Sequence, residues 1–548
     1  MLSIAVMATA CVIGPEETTP APSVSSNTTL AADETTLTTN ETTVTTDEPA
    51  TLTCWTGEGG GSQRGISLTD VTDEIGVLDP LKGMHGHAAI WTDVNQDDRP
   101  DLYVGTYSDR PLEEYLRRGA EDRAPDRLLI GHEGGFAHDE SLPEVFSRSS
   151  GGVTADLDND GDLDLIVSRN INDAADGLVP SQVLENEGGR LTPVEDPGIP
   201  DGLGGRSVAV FDYDLDGLLD MFIAEDHWAG GDGLLLHNDG GLRFSVDRQA
   251  GIPEGVHGLG VSAADLNGDH LPDLFVGGSN RLFLSDGEGR FSEADSTVFV
   301  WERHGPEDDV AGVSIADVDR DGDLDIAVGH HFNSTVEHGT MVAVRLYLND
   351  GEGFFTDVTD LVGIEPLPTK APHVELNDLN NDGWPDLLTS ASAGDGPAIF
   401  VHRGLDDGFP RFEAPDGLGD PQYWVAAPTV DIDRDGRLDV FLLEWEPALP
   451  SLMLRNETDG GNWLEVSIAG SAGFGIGWRV EVSDNDGLLG AREINVTQGY
   501  AGGVLPIAHF GLGDADQVDV SLIPPGDRDP ILLAGLSANQ HIRWPEGC

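Results

Sequence analysis

Seven stretches of nine residues repeat one arrangement of side-chain oxygens: DVNQDDRPD from Asp93, DLDNDGDLD from Asp156, DYDLDGLLD from Asp212, DLNGDHLPD from Asp265, DVDRDGDLD from Asp317, DLNNDGWPD from Asp378 and DIDRDGRLD from Asp431. Positions one, three, five and nine are Asp93, Asn95, Asp97 and Asp101 in the first stretch, and Asp156, Asp158, Asp160 and Asp164 in the second. The third has Asp212, Asp214, Asp216 and Asp220, and the fourth Asp265, Asn267, Asp269 and Asp273. The fifth has Asp317, Asp319, Asp321 and Asp325; the sixth Asp378, Asn380, Asp382 and Asp386; the seventh Asp431, Asp433, Asp435 and Asp439. Hard oxygen ligands at this spacing suit a cation that accepts six to eight oxygens, which points to calcium, with a main-chain carbonyl near position seven and water completing the shell. Glycine at position six permits the sharp turn between ligands. Asp98 and His270 replace it in the first and fourth stretches. An EF-hand needs Glu at position twelve and flanking helices, whereas position twelve of the second stretch is Val167. Up to seven calcium ions are expected.

What must hold these loops is legible on either side of them. GGVTADLD leads into the second and DLDLIVSR leads out, and VSAADLN and PDLFVGG flank the fourth in the same way. Each loop therefore joins two short strands. A second hairpin follows, as in RLFLSDGEGRFSEA (281–294) and RLYLNDGEGFFTDVTD (345–360), each around an Asp/Gly turn. First aspartates are spaced by 63, 56, 53, 52, 61 and 53 residues, the mark of a repeat array. Four strands per repeat, arranged radially, make a propeller blade, so the expected fold is an all-β, seven-bladed β-propeller. After the seventh loop only one further strand is evident, PSLMLRNE (450–457). The orphan segment GISLTDVTDEIGV (65–77) matches the outer strand GFFTDVTDLVGI (353–364) of blade five, and is expected to complete blade seven and shut the ring.

These repeats resemble the FG-GAP/VCBS repeats of integrin-α-type propellers over residues 65–455. The segments GNWLEVSIAG, GIGWRVEV, REINVTQGYAGG and HFGLGDADQVDVSLIPPGD resemble the ASPIC/UnbV domain that follows such a propeller in the cartilage-acidic-protein family. That family's closing Trp-Pro motif is here LIPPGD, with Ile523 where Trp is typical, so no role of that Trp carries over. The resemblance implies calcium in the acidic loops, a small β-sandwich-like domain over 456–548, and extracellular adhesion or recognition as the shared theme.

The formal net charge of −70 repels nucleic acid and anionic lipid, which excludes both as partners by charge. Seven divalent ions would offset only part of it. The opening MLSIAVMATAC, an apolar run ending in small residues, resembles a bacterial lipoprotein signal over residues 1–10, with Cys11 as the lipidation candidate and the only expected membrane attachment. The Thr/Pro-rich segment 11–64 is expected to be a flexible stalk. Cys54 and Cys548 then remain, either as a disulfide tying the ends of the folded part or as two free thiols. The expected location is secreted or on the outer cell surface.

A hairpin returns the chain, so the starts of the first strands and the ends of the second gather on the face away from the loops. His85, His87, Arg206, His257 and Trp424 precede first strands. Tyr107, His227, Trp228, His330, His331 and Trp445 follow second strands. Aromatic rings among hydrogen-bonding groups suit a glycan or a partner protein. The leading reading is a non-enzymatic, calcium-stiffened recognition or adhesion protein. The alternative is a polysaccharide-active lyase or hydrolase using that same face. No Gly-x-Ser-x-Gly element and no zincin spacing of His is present.

Overall fold

The computed structural model describes residues 53–56, 65–171, 178–226, 231–300, 309–331, 344–367, 369–393, 396–415, 423–470, 472–526 and 528–545. All lie in one compact unit, Thr43–Cys548. The expected signal segment, most of the stalk, Cys11, Cys548, His227 and Trp228 fall outside the described residues.

Each acidic loop turns an antiparallel hairpin in which the ninth residue opens the returning strand, as in Ala155↔Asp164 and Phe211↔Asp220. Two further strands extend each hairpin into a four-stranded blade, here lettered A to D outward from the ring axis. Blade two runs Ser149–Ala155, Asp164–Arg169, Gln182–Asn186 and Leu191–Pro193; blade four runs Gly258–Ala264, Asp273–Gly278, Arg281–Ser285 and Phe291–Glu293. In blade seven the outer place is taken by Leu68–Asp70, which pairs antiparallel with Leu452–Asn456. Strand A is buried along its whole length in blades one to four, because sheets press on both of its faces.

The core is a set of wedges between successive blades rather than one centre. Ile90 and Tyr103 of blade one meet Leu165 and Val167 of blade two. Phe211 and Phe222 of blade three meet Val261 and Phe283 of blade four. Leu379 and Leu388 of blade six meet Val440 and Leu454 of blade seven. Phe441 and Met453 of blade seven meet Trp91 and Leu129 of blade one, so the last wedge joins the first blade to the last. The fold is an all-β, seven-bladed propeller.

The C-terminal part packs two four-stranded sheets on each other. One holds Asn462–Ile468, Ala508–Gly513 and Gln540–Trp544; the other holds Arg479–Asp484, Gly487–Glu493, Gln517–Ile523 and Ile531–Ser537. The fourth strand of the first sheet is Thr53–Thr56, paired with Gln540–Trp544. Those four residues were expected in a flexible stalk, and Trp55 explains the difference: its ring sits 4.1 Å from that of His541. Cys54 is disulfide-bonded. The C-terminal strands begin at Asn462, since Asn456 still belongs to blade seven.

One hairpin of the C-terminal domain fills the propeller channel. Gly502 and Gly503 pair in parallel with Ala89 and Ile90 of blade one. Thr497 Oγ1 donates to Val208 O of blade three (2.6 Å), Asn495 Nδ2 to Ala263 O of blade four (2.8 Å), and Gly499 N to Val313 O of blade five (3.0 Å). The turn at Gly499 has φ +61°, and a Cβ there would run into the fully buried ring of His373. Strain and overlap act together at this position, each costing about 1–3 kcal/mol. Gly499→Ala is therefore expected to lower stability by about 2–4 kcal/mol without changing the blades, read as an earlier thermal midpoint with unchanged far-ultraviolet circular dichroism.

Candidate functional site

The loops share one internal wiring. The first aspartate caps its own turn: Asp156 Oδ1 accepts from Asp160 N (3.1 Å) and Oδ2 from Gly161 N (3.2 Å), and Asp212 and Asp378 do the same. The ninth ties the loop to strand C. Asp164 accepts from Leu157 N (3.2 Å) and Asn186 N (2.9 Å), and Asp439 from Ile432 N (3.0 Å) and Asn456 N (2.6 Å). Position six takes positive φ even where it is not glycine, at Asp98 (62°) and His270 (62°). That conformation, rather than the absence of a side chain, is what the turn demands.

Position four links the blades. Its φ is also positive, which turns the side chain toward the next loop. Asn159 Nδ2 donates to Gly217 O (2.9 Å), Arg320 Nε to Gly383 O (2.8 Å), Asn381 Nδ2 to Gly436 O (2.8 Å) and Arg434 Nε to Asp98 O (3.2 Å); Gln96 reaches Gly161 O likewise. The links from loops three and four are missing, because Leu215 has no donor and Gly268 no side chain. At those two places the C-terminal domain supplies the donor. Gly526 N donates to His270 O (2.8 Å), and the Arg479 guanidinium donates to Gly322 O.

The loops fit a hard cation. Carboxylate oxygens of Asp156, Asp158 and Asp164 approach one another within 4.8 Å, as do those of Asp212, Asp214 and Asp216, of Asp317, Asp319 and Asp325, and of Asp431, Asp433 and Asp439. Loops one, four and six carry Asn at position three and gather fewer carboxylates. Burial, then the neighbouring aspartates, pushes Asp156 up to about 6, while burial pushes Asp164 to about 8 and Asp220 to about 9. Oδ1 of Asp158, of Asp317 and of Asp319 is buried and has no hydrogen-bond partner among the described residues. Oxygens that crowd, resist ionisation and lack donors are what a divalent cation resolves. His237, unforeseen in the sequence, places Nδ1 3.2 Å from Asp220 Oδ1 in loop three. Four asparagines at the end of strand C were also missed. Asn186, Asn238, Asn349 and Asn456 each donate from Nδ2 to their own loop and to the preceding one, as Asn186 does to Leu163 O (3.1 Å) and Val94 O (2.9 Å). Their signal was the recurrent Asn in LENEGG, LHNDGG, LNDGEG and LRNETDG.

The C-terminal domain sits over this loop face. Glu493 Oε2 accepts from Asp265 N (2.8 Å), Ala491 N donates to Asp317 Oδ2 (3.1 Å), and His509 Nε2 lies 2.9 Å from Asn381 Oδ1.

The opposite face brings together five of the residues expected there, but around the plug rather than open to solvent. Tyr500, at the hairpin tip, has its hydroxyl 3.4 Å from His87 Nε2 and from Arg206 NH1. Arg206 also bonds the Tyr107 hydroxyl (2.6 Å) and Asp226 (2.6 Å). His87 stacks on Tyr107 with centroids 4.3 Å apart, and Trp445 stands edge-on to His85 at 3.9 Å. Burial and then Arg110 hold His85 down to about 3, so it is neutral. Burial and then Arg206 lower His87, while burial and then Lys370 lower His331. Among the described residues, His85, His87, Tyr107 and Arg206, expected on an open ligand face, are thus buried around the plug, because the channel they border is filled. Trp424 does not join it: it packs between blades six and seven with Leu388 and Val440. His257 bonds Gly255 O of its own turn (3.2 Å), and His330 is buried, its carbonyl accepting from Ala371 N (3.0 Å).

Seven blades with aspartate loops, capped and plugged by a β-sandwich, define an FG-GAP-type propeller protein. The FG-GAP-like repeat family matches residues 156–223, 212–276, 277–328 and 378–442, and the ASPIC and UnbV family matches 469–543. The chain thus carries FG-GAP-like repeats followed by a C-terminal ASPIC and UnbV domain. It is similar to cartilage acidic protein 1 of Mus musculus, 28% identical over 508 residues, 84% of this chain and 74% of that one. The Homo sapiens protein of that name is 28% identical over 507 residues, 84% of this chain and 73% of that one. An Agrocybe aegerita protein that recognises non-reducing terminal N-acetylglucosamine aligns at 16% identity and TM-score 0.36, over 69% of this chain and 91% of that one. Among the described residues no helix is long and apolar enough to cross a membrane.

Proposed function

We propose that the chain is an extracellular, calcium-binding recognition protein without enzymatic activity, secreted or held on the outer cell surface, by lipid if Cys11 is modified. The observation that carries this reading is the set of buried, donor-less carboxylate oxygens in the aspartate loops. The calcium ions act as structural staples, each holding one corner of one blade, and the C-terminal domain rests on the corners they hold. Recognition of a protein or glycan then falls to surfaces presented by this stiffened frame. The polysaccharide-active alternative draws no support from the geometry, because His87, Tyr107 and Arg206 bond to one another and to Tyr500. Calorimetric titration of the chelated, full chain with calcium is the test. Several ions per chain, up to seven, support the reading, and Asp158→Asn together with Asp319→Asn should weaken the affinity about tenfold or more per loop. Absence of heat and of bound calcium in native mass spectra would sink it.

A further inference from the structure

A cavity of about 170 Å³ lies where the C-terminal domain meets loops one and two. It is lined by two half-buried aromatic rings, Trp55 and Phe474, with Gln96, Asp98 and Arg543 at its edge. Trp55 precedes the propeller in the chain and Phe474 follows it. Trp55 is fixed by the pairing of its strand with Gln540–Trp544, by the His541 ring and by the Arg434 guanidinium 4.9 Å from its centroid. Its Nε1 is buried and has no hydrogen-bond partner among the described residues, an unanswered donor beside a cavity. Phe474 has φ 54° and ψ 33°, a left-handed conformation, and follows Gly473, which is left-handed too. A glycine would hold that turn without strain, so the turn itself gives no reason for an aromatic ring. Asp98 Oδ1 and Arg543 NH2 form a 2.5 Å ion pair, and both residues line the cavity.

We infer that this cavity is a saccharide-binding site that takes the terminal ring of a neutral glycan. A sugar ring has an apolar C–H face for aromatic carbon, and hydroxyls that both donate and accept. Trp55 and Phe474 offer the first surface; Asp98, Arg543, the Gln96 amide oxygen and the idle indole N–H offer partners for the second. Arg543, the one Arg or Lys of the lining, is already paired with Asp98, so an acidic sugar finds no unpaired Arg or Lys there. The space is below the several hundred Å³ of drug-sized pockets and suits a single ring. This site goes beyond the calcium-binding reading and is separable from it, because calcium titration and sugar titration report on different groups.

The test uses the full chain in calcium, with the methyl glycosides of glucose, galactose, mannose and fucose, and methyl glucuronide as the acidic probe. Saturation-transfer NMR reads contact, and tryptophan fluorescence reads affinity. At least one neutral glycoside should bind with Kd of about 1–10 mM, the range open to a single exposed ring. Phe474→Gly should weaken it at least about tenfold while the thermal midpoint stays the same or rises, since glycine relieves the left-handed strain. Trp55→Phe, which keeps the ring and removes the donor, should weaken binding by a smaller factor. Silence from all four neutral glycosides, full binding by Phe474→Gly, or a preference for the glucuronide would each overturn the inference, whatever the calcium titration shows.

Discussion

Chelation of the calcium-loaded protein is expected to lower its thermal midpoint by about 10–20 °C, with restored calcium reversing the change. A site held at about a hundredfold over its Kd contributes about 2.7 kcal/mol. Four loops bring three carboxylates within 4.8 Å of one another, so their ions together are worth about 10 kcal/mol, as much as the whole stability of many domains. One kcal/mol moves the midpoint of a 150–250-residue domain by about 2–4 °C, and of a longer chain by less. The dependence on pH has opposite signs in the two states. In the metal-free protein, burial raises Asp164 and Asp273 to about 8 and Asp220 to about 9, against an ordinary value near 3.8. The folded chain then holds protons that the unfolded chain has released, so metal-free stability falls as pH rises from about 4 through 8. The calcium-loaded protein behaves in reverse, because protons compete with the ion for the same oxygens. Differential scanning calorimetry at pH 5.5 and pH 8, with and without chelator, checks both signs. A midpoint indifferent to chelator at both values would leave the loops as plain solvated turns.

The same loops mark the limit of what the sequence displays. A ligand spacing repeated seven times is a local pattern with a period, so the loops, the hairpins and the blade number could all be read from residues a few positions apart. The strand at 68–70 was legible for the same reason, since it copies the outer strand of blade five. The plug has no period and no copy. REINVTQGYAGG meets Val208, Ala263, Val313 and His373, partners more than a hundred residues away, and only its glycines hint that a backbone must pass closely. That one omission hid what lies against His87 and Arg206. Strand position shows that His85, His87 and Arg206 gather at one mouth of the channel, but not that Tyr500 comes through the channel to meet them. The docking of the C-terminal domain was hidden differently. Leu215 and Gly268 look like ordinary variation at position four until the ring of loop-to-loop hydrogen bonds is seen to break there. Register follows from that break: on a ring of seven similar blades, only the position that puts Gly526 and Arg479 over His270 O and Gly322 O satisfies both carbonyls at once.

Removal of residues 65–77 opens the ring and abolishes cooperative folding. Three side chains of this segment, Val71, Ile75 and Val77, are buried in the wedge between blades seven and one, with Val77 at 0% exposure. Their transfer to water alone amounts to about 4–9 kcal/mol at about 1.5–3 kcal/mol each. Hydrogen bonds are lost as well: Val71 N donates to Met453 O (2.9 Å), the Thr72 hydroxyl accepts from Met453 N (2.8 Å), and Ile75 O accepts from Phe136 N (2.7 Å) on blade one. The segment therefore holds two blades at once, and no neighbouring strand can substitute for it. Without it, Leu452–Asn456 becomes a bare edge strand that opens on three consecutive apolar residues, a template for pairing with other chains. Against a typical net stability of about 5–15 kcal/mol, the combined loss is disabling. The expected outcome is loss of the sharp calorimetric transition and the appearance of soluble aggregates in size-exclusion chromatography, even in calcium. A milder version isolates the wedge from the edge: Val77→Asp keeps the strand pairing intact but buries a charge where exposure is nil, and should lower the midpoint by more than Gly499→Ala does. A truncated chain that remains monomeric and melts cooperatively would show that the wedge between blades seven and one closes without its outer strand, and that the ring is held by the plug instead.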